Sequence, residues 1–108
     1  MTPETRIYVA GHRGLAGSAL VRRLRARGYT NILTRSHADL ELTDSHAVAS
    51  FFQAERPDVV FLAAAKVGGI LANSSYPAEF IQDNLIIQTN VIHEAWRAGV
   101  QRLLFLGS

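Results

Sequence analysis

Apolar residues in this chain come in two kinds of run, short continuous blocks and longer stretches in which they recur every three or four positions. Ile7, Tyr8, Val9 and Ala10 form the first block and end at a glycine, the pattern of a parallel strand buried on both faces. From Leu15 to Arg27 the residues Leu15, Ala16, Ala19, Leu20 and Leu24 recur at helical spacing with arginines on the other side, and Gly28 stops the helix. Asn31 to Thr34 reads as a short second strand. Asp44 and Ser45 supply capping chemistry for a helix to about Ala54, which Arg56-Pro57 terminates. Val59 to Ala63 is a second continuous apolar block and predicts a third buried strand. A long periodic segment from about Ala78 to Ala98 puts Phe80, Ile81, Leu85, Ile92 and Ala95 near one stripe and ends at Gly99. Arg102 to Leu106 is the fourth strand.

This βαβαβαβ order has no internal linker, repeat or low-complexity stretch, so residues 1–108 read as one unit. Right-handed crossovers predict a doubly wound, Rossmann-like parallel sheet with its four strands in the order 3-2-1-4. The fourth strand would then present a bare apolar edge, so the sequence reads as truncated before a fifth strand.

Between the first strand and the first helix lies Gly11-His12-Arg13-Gly14-Leu15-Ala16-Gly17, with glycines at intervals of three. The first glycine permits the tight turn, the second lets backbone approach a pyrophosphate, and the third lets helix pack on sheet. Phosphate would sit at the helix N-terminus, where free amides and the positive end of the dipole meet it. An acidic residue at the end of the second strand would favour NAD; Arg35 stands there instead. Arg35 and Arg13 suit a 2′-phosphate, so the expected cofactor is NADP(H) rather than NAD(H). The competing use, with Arg35 in solvent and Arg13 packed over the adenine, suits either dinucleotide. Asp39, Leu40, Glu41 and Leu42 lie where the chain should pass the adenine, one leucine to pack on its face and one carboxylate to accept from its amine; counting back from the helix near Asp44 favours Leu42 with Glu41, and ordinary core and surface roles compete. Ala63, Ala64 and Ala65 leave room for a cofactor beside the third strand, or simply pack small. Asn84, among apolar helix neighbours, braces the cofactor-side loops or caps a polar network.

Composition narrows the field. A chain of 108 residues with 48% hydrophobic and 19% charged residues is an ordinary globular one. No apolar run is long enough to span a bilayer and Met1 to Ile7 does not look like a secretory leader, so a cytoplasmic location is expected. Absence of cysteine excludes a disulfide framework, a thiolate metal site and a cysteine nucleophile within these residues. His12, His37, His46 and His93 are too widely spaced for a short metal-ligand motif, and no metal is expected. The net charge of +2 is too small to point to nucleic acid, and Arg22, Arg23, Arg25 and Arg27 read as a solvated helix face.

Taken together, Gly11, Gly14 and Gly17, the Gly-His-Arg-Gly at 11–14, the Ala-Ala-Ala-Lys-Val-Gly-Gly-Ile at 63–70, Tyr76-Pro77-Ala78 and the Leu-Leu-Phe-Leu-Gly-Ser at 103–108 resemble the extended short-chain dehydrogenase/reductase family. Within it the likeness, over essentially the whole chain, is to enzymes of GDP-linked sugars. The resemblance implies NADPH-dependent epimerisation of GDP-4-keto-6-deoxy-D-mannose at C3 and C5, then reduction of the C4 ketone. It gives Ser108 a catalytic role, hydrogen-bonding the ketone oxygen, and places Leu106 and Gly107 beside the cofactor. The family's Tyr-x-x-x-Lys pair does not occur here, so this chain alone is expected to be inactive. Lys66 and Asn73 belong to the substrate-side wall or to a solvated loop. The resemblance also implies a homodimer pairing through helices that include the one at 78–98, with Trp96 at the interface.

Overall fold

The computed structural model describes residues 1–63 and 77–106, with side chains from Gln82 onward in the second span. Its elements follow in the order β1 (Ile7–Ala10), α1 (Leu15–Ala26), β2 (Ile32–Leu33), α2 (Ser45–Glu55), β3 (Val59–Leu62), α3 (Pro77–Arg97) and β4 (Arg102–Phe105). All strand pairs are parallel and the fold is α/β, Rossmann-like.

The strand order is 2-1-3-4, which corrects the expected 3-2-1-4. Burial explains the difference. β2 has only two residues, both half-buried, and pairs with β1 through Ile7–Ile32 and Tyr8–Leu33. It is too short to give a four-residue apolar strand a partner along its whole length. β3 is buried at every position and pairs along the full length of β1, from Ile7–Val59 to Ala10–Leu62. β4, with Arg102 and Phe105 exposed, is the outer strand on that side. The fully apolar strands thus take the two interior places, where both faces are covered.

Alternation along β1 divides the core. Tyr8 and Ala10 point to one face with Val60, Leu62, Phe51, Phe52, Ile87, Val91 and Ala95, beneath α2 and α3. Ile7 and Val9 point to the other with Val59, Phe61, Val21 and Leu24, beneath α1. The inner face of α1 is therefore Gly17, Val21 and Leu24, whereas Leu15, Ala16 and Ala19 are exposed. The expected stripe of α3 shifts likewise: Ile87, Val91, Ala95 and Ala98 are buried, while Leu85 and Ile92 face outward. Phe80 and Ile81 lie outside the described side chains.

Local chemistry fixes the ends. Asp44 Oδ1 accepts from the amides of His46 and Ala47, at 3.1 and 3.2 Å, to cap α2. Arg6 ties β1 to the end of α2 through Glu55 and to the start of β3 through Asp58.

Candidate cofactor site

In a doubly wound sheet a ligand crevice opens at the C-terminal ends of the strands where the winding direction reverses. Here that point is β1/β3, since the chain leaves β1 for β2 on one side and returns to β3 on the other. Gly11 follows β1 and Ala63 follows β3, joined by the Ala63 amide donating to the Ala10 carbonyl at 2.9 Å. The corrected strand order is what makes these two positions neighbours.

The glycine turn forms the floor of the crevice. Gly11 adopts φ +88°, open to glycine and costly to other residues. Gly17 admits no side chain, because a Cβ there would stand 1.9 Å from the Gly11 carbonyl oxygen. Gly14 is different: a Cβ would meet only that same oxygen at 3.5 Å, an ordinary contact. Nothing among the described residues demands glycine at 14, and the space beside it is open to what the turn binds. Gly14 is also the N-cap of α1, with no side-chain cap and no acidic residue in the first turn. Unlike α2, whose own aspartate occupies its N-terminus, α1 presents free amides and a positive dipole end to an anion.

A cavity of about 290 Å³ lies at this point, near the lower end of small-molecule sites. Gly11, His12, Arg13, Gly14, Arg35, Leu42 and Ala63 line it, joined by Ser36, His37, Leu40 and Ile87. Leu15, Ala16 and Gly17 continue from its floor into α1. Glu41, Asn84 and Leu106 do not line it; Leu106 follows β4, its amide donating to Leu62 at 3.0 Å. Ala64, Ala65, Lys66, Asn73, Gly107 and Ser108 lie outside the described residues.

The two arginines stand differently. Arg13 is exposed and has no ion-pair partner among the described residues. Arg35 is half-buried: one guanidinium nitrogen donates to the Thr34 carbonyl at 2.8 Å, another lies 3.5 Å from Glu55 Oε1, and its carbon sits 5.2 Å from the centre of the Phe51 ring. It is therefore fixed rather than solvated. Burial, and then the neighbouring Arg13 charge, push the His12 imidazole below the ordinary histidine value and keep it neutral.

Sequence reasoning set Asp39 to Leu42 beside the adenine but missed Ser36 and His37; the segment Ser36–Leu40 follows β2 and lines the cavity through Ser36, His37 and Leu40. Its anchor was also missed. Asn90 of α3 donates through Nδ2 to the Leu42 carbonyl at 2.8 Å, holding this segment against the helix. The available signal was its position, next to Val91 and one turn from Ile87 on the buried face. Glu41 is turned away to Thr43 and His37; the Thr43 hydroxyl, at 2.8 Å, is the main reason its carboxyl sits below the usual glutamate value.

Among the described residues no three His, Asp or Glu converge as a metal site, and no helix is long and apolar enough to cross a membrane. Sheet, glycine turn and crevice together define a dinucleotide-binding α/β protein. The chain belongs to the NAD dependent epimerase/dehydratase family, whose model matches residues 7–108. It is 61% identical to GDP-L-fucose synthase 1 of Arabidopsis thaliana over 105 residues, covering 97% of this chain and 32% of that protein. It is 53% identical to GDP-L-fucose synthase of Escherichia coli, covering 97% of this chain and 33% of that one. A solved GDP-mannoheptose C4 reductase from Campylobacter jejuni with NADP bound superposes with a TM-score of 0.94 at 44% identity, covering 99% of this chain and 34% of that one. The chain thus spans about a third of the length of these relatives.

Proposed function

We propose that this chain holds NADP(H) in the β1/β3 crevice of an enzyme that converts GDP-4-keto-6-deoxy-D-mannose to GDP-L-fucose. The observation that carries the cofactor reading is one cavity lined by both the glycine turn at an uncapped helix N-terminus and the cations Arg13 and Arg35. The residues fit the group. Gly11 and Gly14 let the pyrophosphate approach the first amides of α1, and Leu40 and Leu42 offer an apolar wall to the adenine. Arg13 and the pre-positioned Arg35 answer the 2′-phosphate in place of the carboxylate that would repel it.

The substrate is supported by the similarity to two proteins named as GDP-L-fucose synthases. When bound, NADPH supplies the hydride that reduces the C4 ketone. In this reading Ser108 hydrogen-bonds the ketone oxygen, and no Tyr-x-x-x-Lys pair occurs in these residues to complete the acid–base set, so the chain alone turns over no substrate. Pairing of two copies through α3 belongs to the same reading, supported by Leu85, Ile92 and Trp96, exposed along one line of that helix at 57%, 44% and 76%.

The test is a calorimetric titration of the chain with NADPH and, separately, NADH. Tight NADPH binding with weaker NADH binding is expected, and equal affinities would refute the assignment of Arg13 and Arg35. GDP-fucose formed by the chain alone would refute its inactivity.

A further inference from the structure

Three consecutive residues after β2, Arg35, Ser36 and His37, line one wall of the cavity; in the cofactor reading above, that wall meets the end of the dinucleotide where NADP and NAD differ. Arginine carries its charge at every working pH, so the wall has one member whose charge can change there. His37 is 76% exposed at the side chain, with Nδ1 3.5 Å from Glu41 Oε2. Among the described residues its Nε2 has no partner. Glu41 is a fixed anion, since the Thr43 hydroxyl and amide hold its other oxygen at 2.8 and 3.4 Å.

We propose that His37 reads the 2′-phosphate of the cofactor by taking up a proton as NADPH binds. In the free chain Nδ1 lies toward Glu41 and the Nε2 side is open to the cavity. A phosphate dianion on the Nε2 side gives the ring a second anionic neighbour, which favours the imidazolium. One proton moves from buffer to Nε2, and the two N–H groups then donate to carboxylate and phosphate. NADH has no 2′-phosphate and draws no proton. The inference rests on the cofactor reading above and deepens it: discrimination for NADPH becomes dependent on pH.

The other charged groups around the ring are Glu41 and Asp39 of its own segment, Arg35 at the end of β2, and His12 and Arg13 of the glycine turn; the described part of α3 contributes Ile87 to the cavity. The arginines do not titrate. His12 already sits below the ordinary histidine value and Glu41 below the ordinary glutamate value, so neither changes charge above neutral pH.

The experiment is calorimetry with NADPH and NADH on the chain, on His37→Gln and on His37→Arg, at about pH 7 and about pH 8.5. The 2′-phosphate is a dianion throughout that range, since phosphate monoesters lose their second proton near about pH 6. Wild type is expected to bind NADPH about threefold more weakly at the higher pH, the change that follows when the phosphate strengthens proton binding about tenfold. At pH 7 it should take up a fraction of a proton, read from the dependence of heat on buffer. His37→Gln should lose both effects, His37→Arg should bind tightly at both values, and NADH should show neither effect. An unchanged pH slope in His37→Gln, or no proton uptake by wild type, overturns the role of His37 and leaves the cofactor reading standing. Failure of wild type to prefer NADPH to NADH at either pH overturns the cofactor reading, and this inference with it. His37 is exposed, so all three proteins should melt alike.

Discussion

Replacing Gly17 with alanine sets two physical effects against each other. Helix propensity favours alanine over glycine by about 1 kcal/mol. The structure opposes it, since the new Cβ would lie 1.9 Å from the Gly11 carbonyl oxygen and 2.7 Å from its carbon. These are backbone atoms that no rotamer change can remove, and the same oxygen accepts the Gly14 amide at 3.1 Å. The turn or α1 must retreat by more than an ångström. Overpacking of this kind costs up to about 3 kcal/mol, and weakening the Gly14 bond adds about 1 kcal/mol. After the propensity gain the net loss is about 3 kcal/mol. With a urea slope near 1.5 kcal/mol per molar, the unfolding midpoint should fall by roughly 2 M. Gly14→Ala is the control. At φ −70° with its Cβ 3.5 Å from the nearest atom, it should change stability by less than about 0.5 kcal/mol, yet weaken NADPH because its methyl stands where the pyrophosphate approaches. A Gly17→Ala protein with a midpoint at or above wild type would refute the reasoning.

Asn90→Ala removes the donor to Leu42 and should cost about 1 to 2 kcal/mol in urea unfolding, with weaker NADPH binding because the segment over the cavity loosens; unchanged binding would mean the anchor does not shape the site. Asp44→Ala uncaps α2 and should cost about 1 kcal/mol, seen as a fall of roughly 5 °C in Tm. Burial pushes the Tyr8 phenol above its ordinary value, against a smaller opposing effect of the Arg35 charge. The folded chain therefore keeps that proton where the unfolded chain releases it, near about pH 10. The resulting stability is complete below that pH and declines as pH rises above it. Tyr8→Phe should remove this part of the alkaline decline, so the gap in Tm between the two proteins should change from pH 9 to pH 11; parallel curves would contradict it.

Features that depend on neighbours in sequence were legible. The apolar blocks at Ile7–Ala10 and Val59–Leu62, the Asp44 cap and the glycine stop of α1 are local matters of period, capping and backbone freedom, and each element lies within a residue or two of its expected place. The glycine turn was legible for the same reason, since a strand, a tight turn and a helix start leave a mark in consecutive residues. Strand order was half-written: Asn31 and Thr34 bracket a two-residue apolar core fit for an edge, while β3 is apolar throughout. That contrast decides the order only once burial on both faces is compared between strands far apart in the chain.

The sequence by itself determined the α/β class, the position of every element described and the glycine turn, because these follow from short-range sterics and periodicity. Tertiary structure alone decided which stripe of α3 faces inward. That helix carries more apolar residues than one face can bury, and its period offers Leu85 and Ile92 as readily as Ile87 and Val91. Only packing against α2 and the sheet chooses between them. The same long-range packing set Asn90 against Leu42, stacked Arg35 on Phe51, and folded Ser36, His37 and Leu40 back over the glycine turn. A loop's path is fixed by what it packs against, and that is written in residues dozens of positions away.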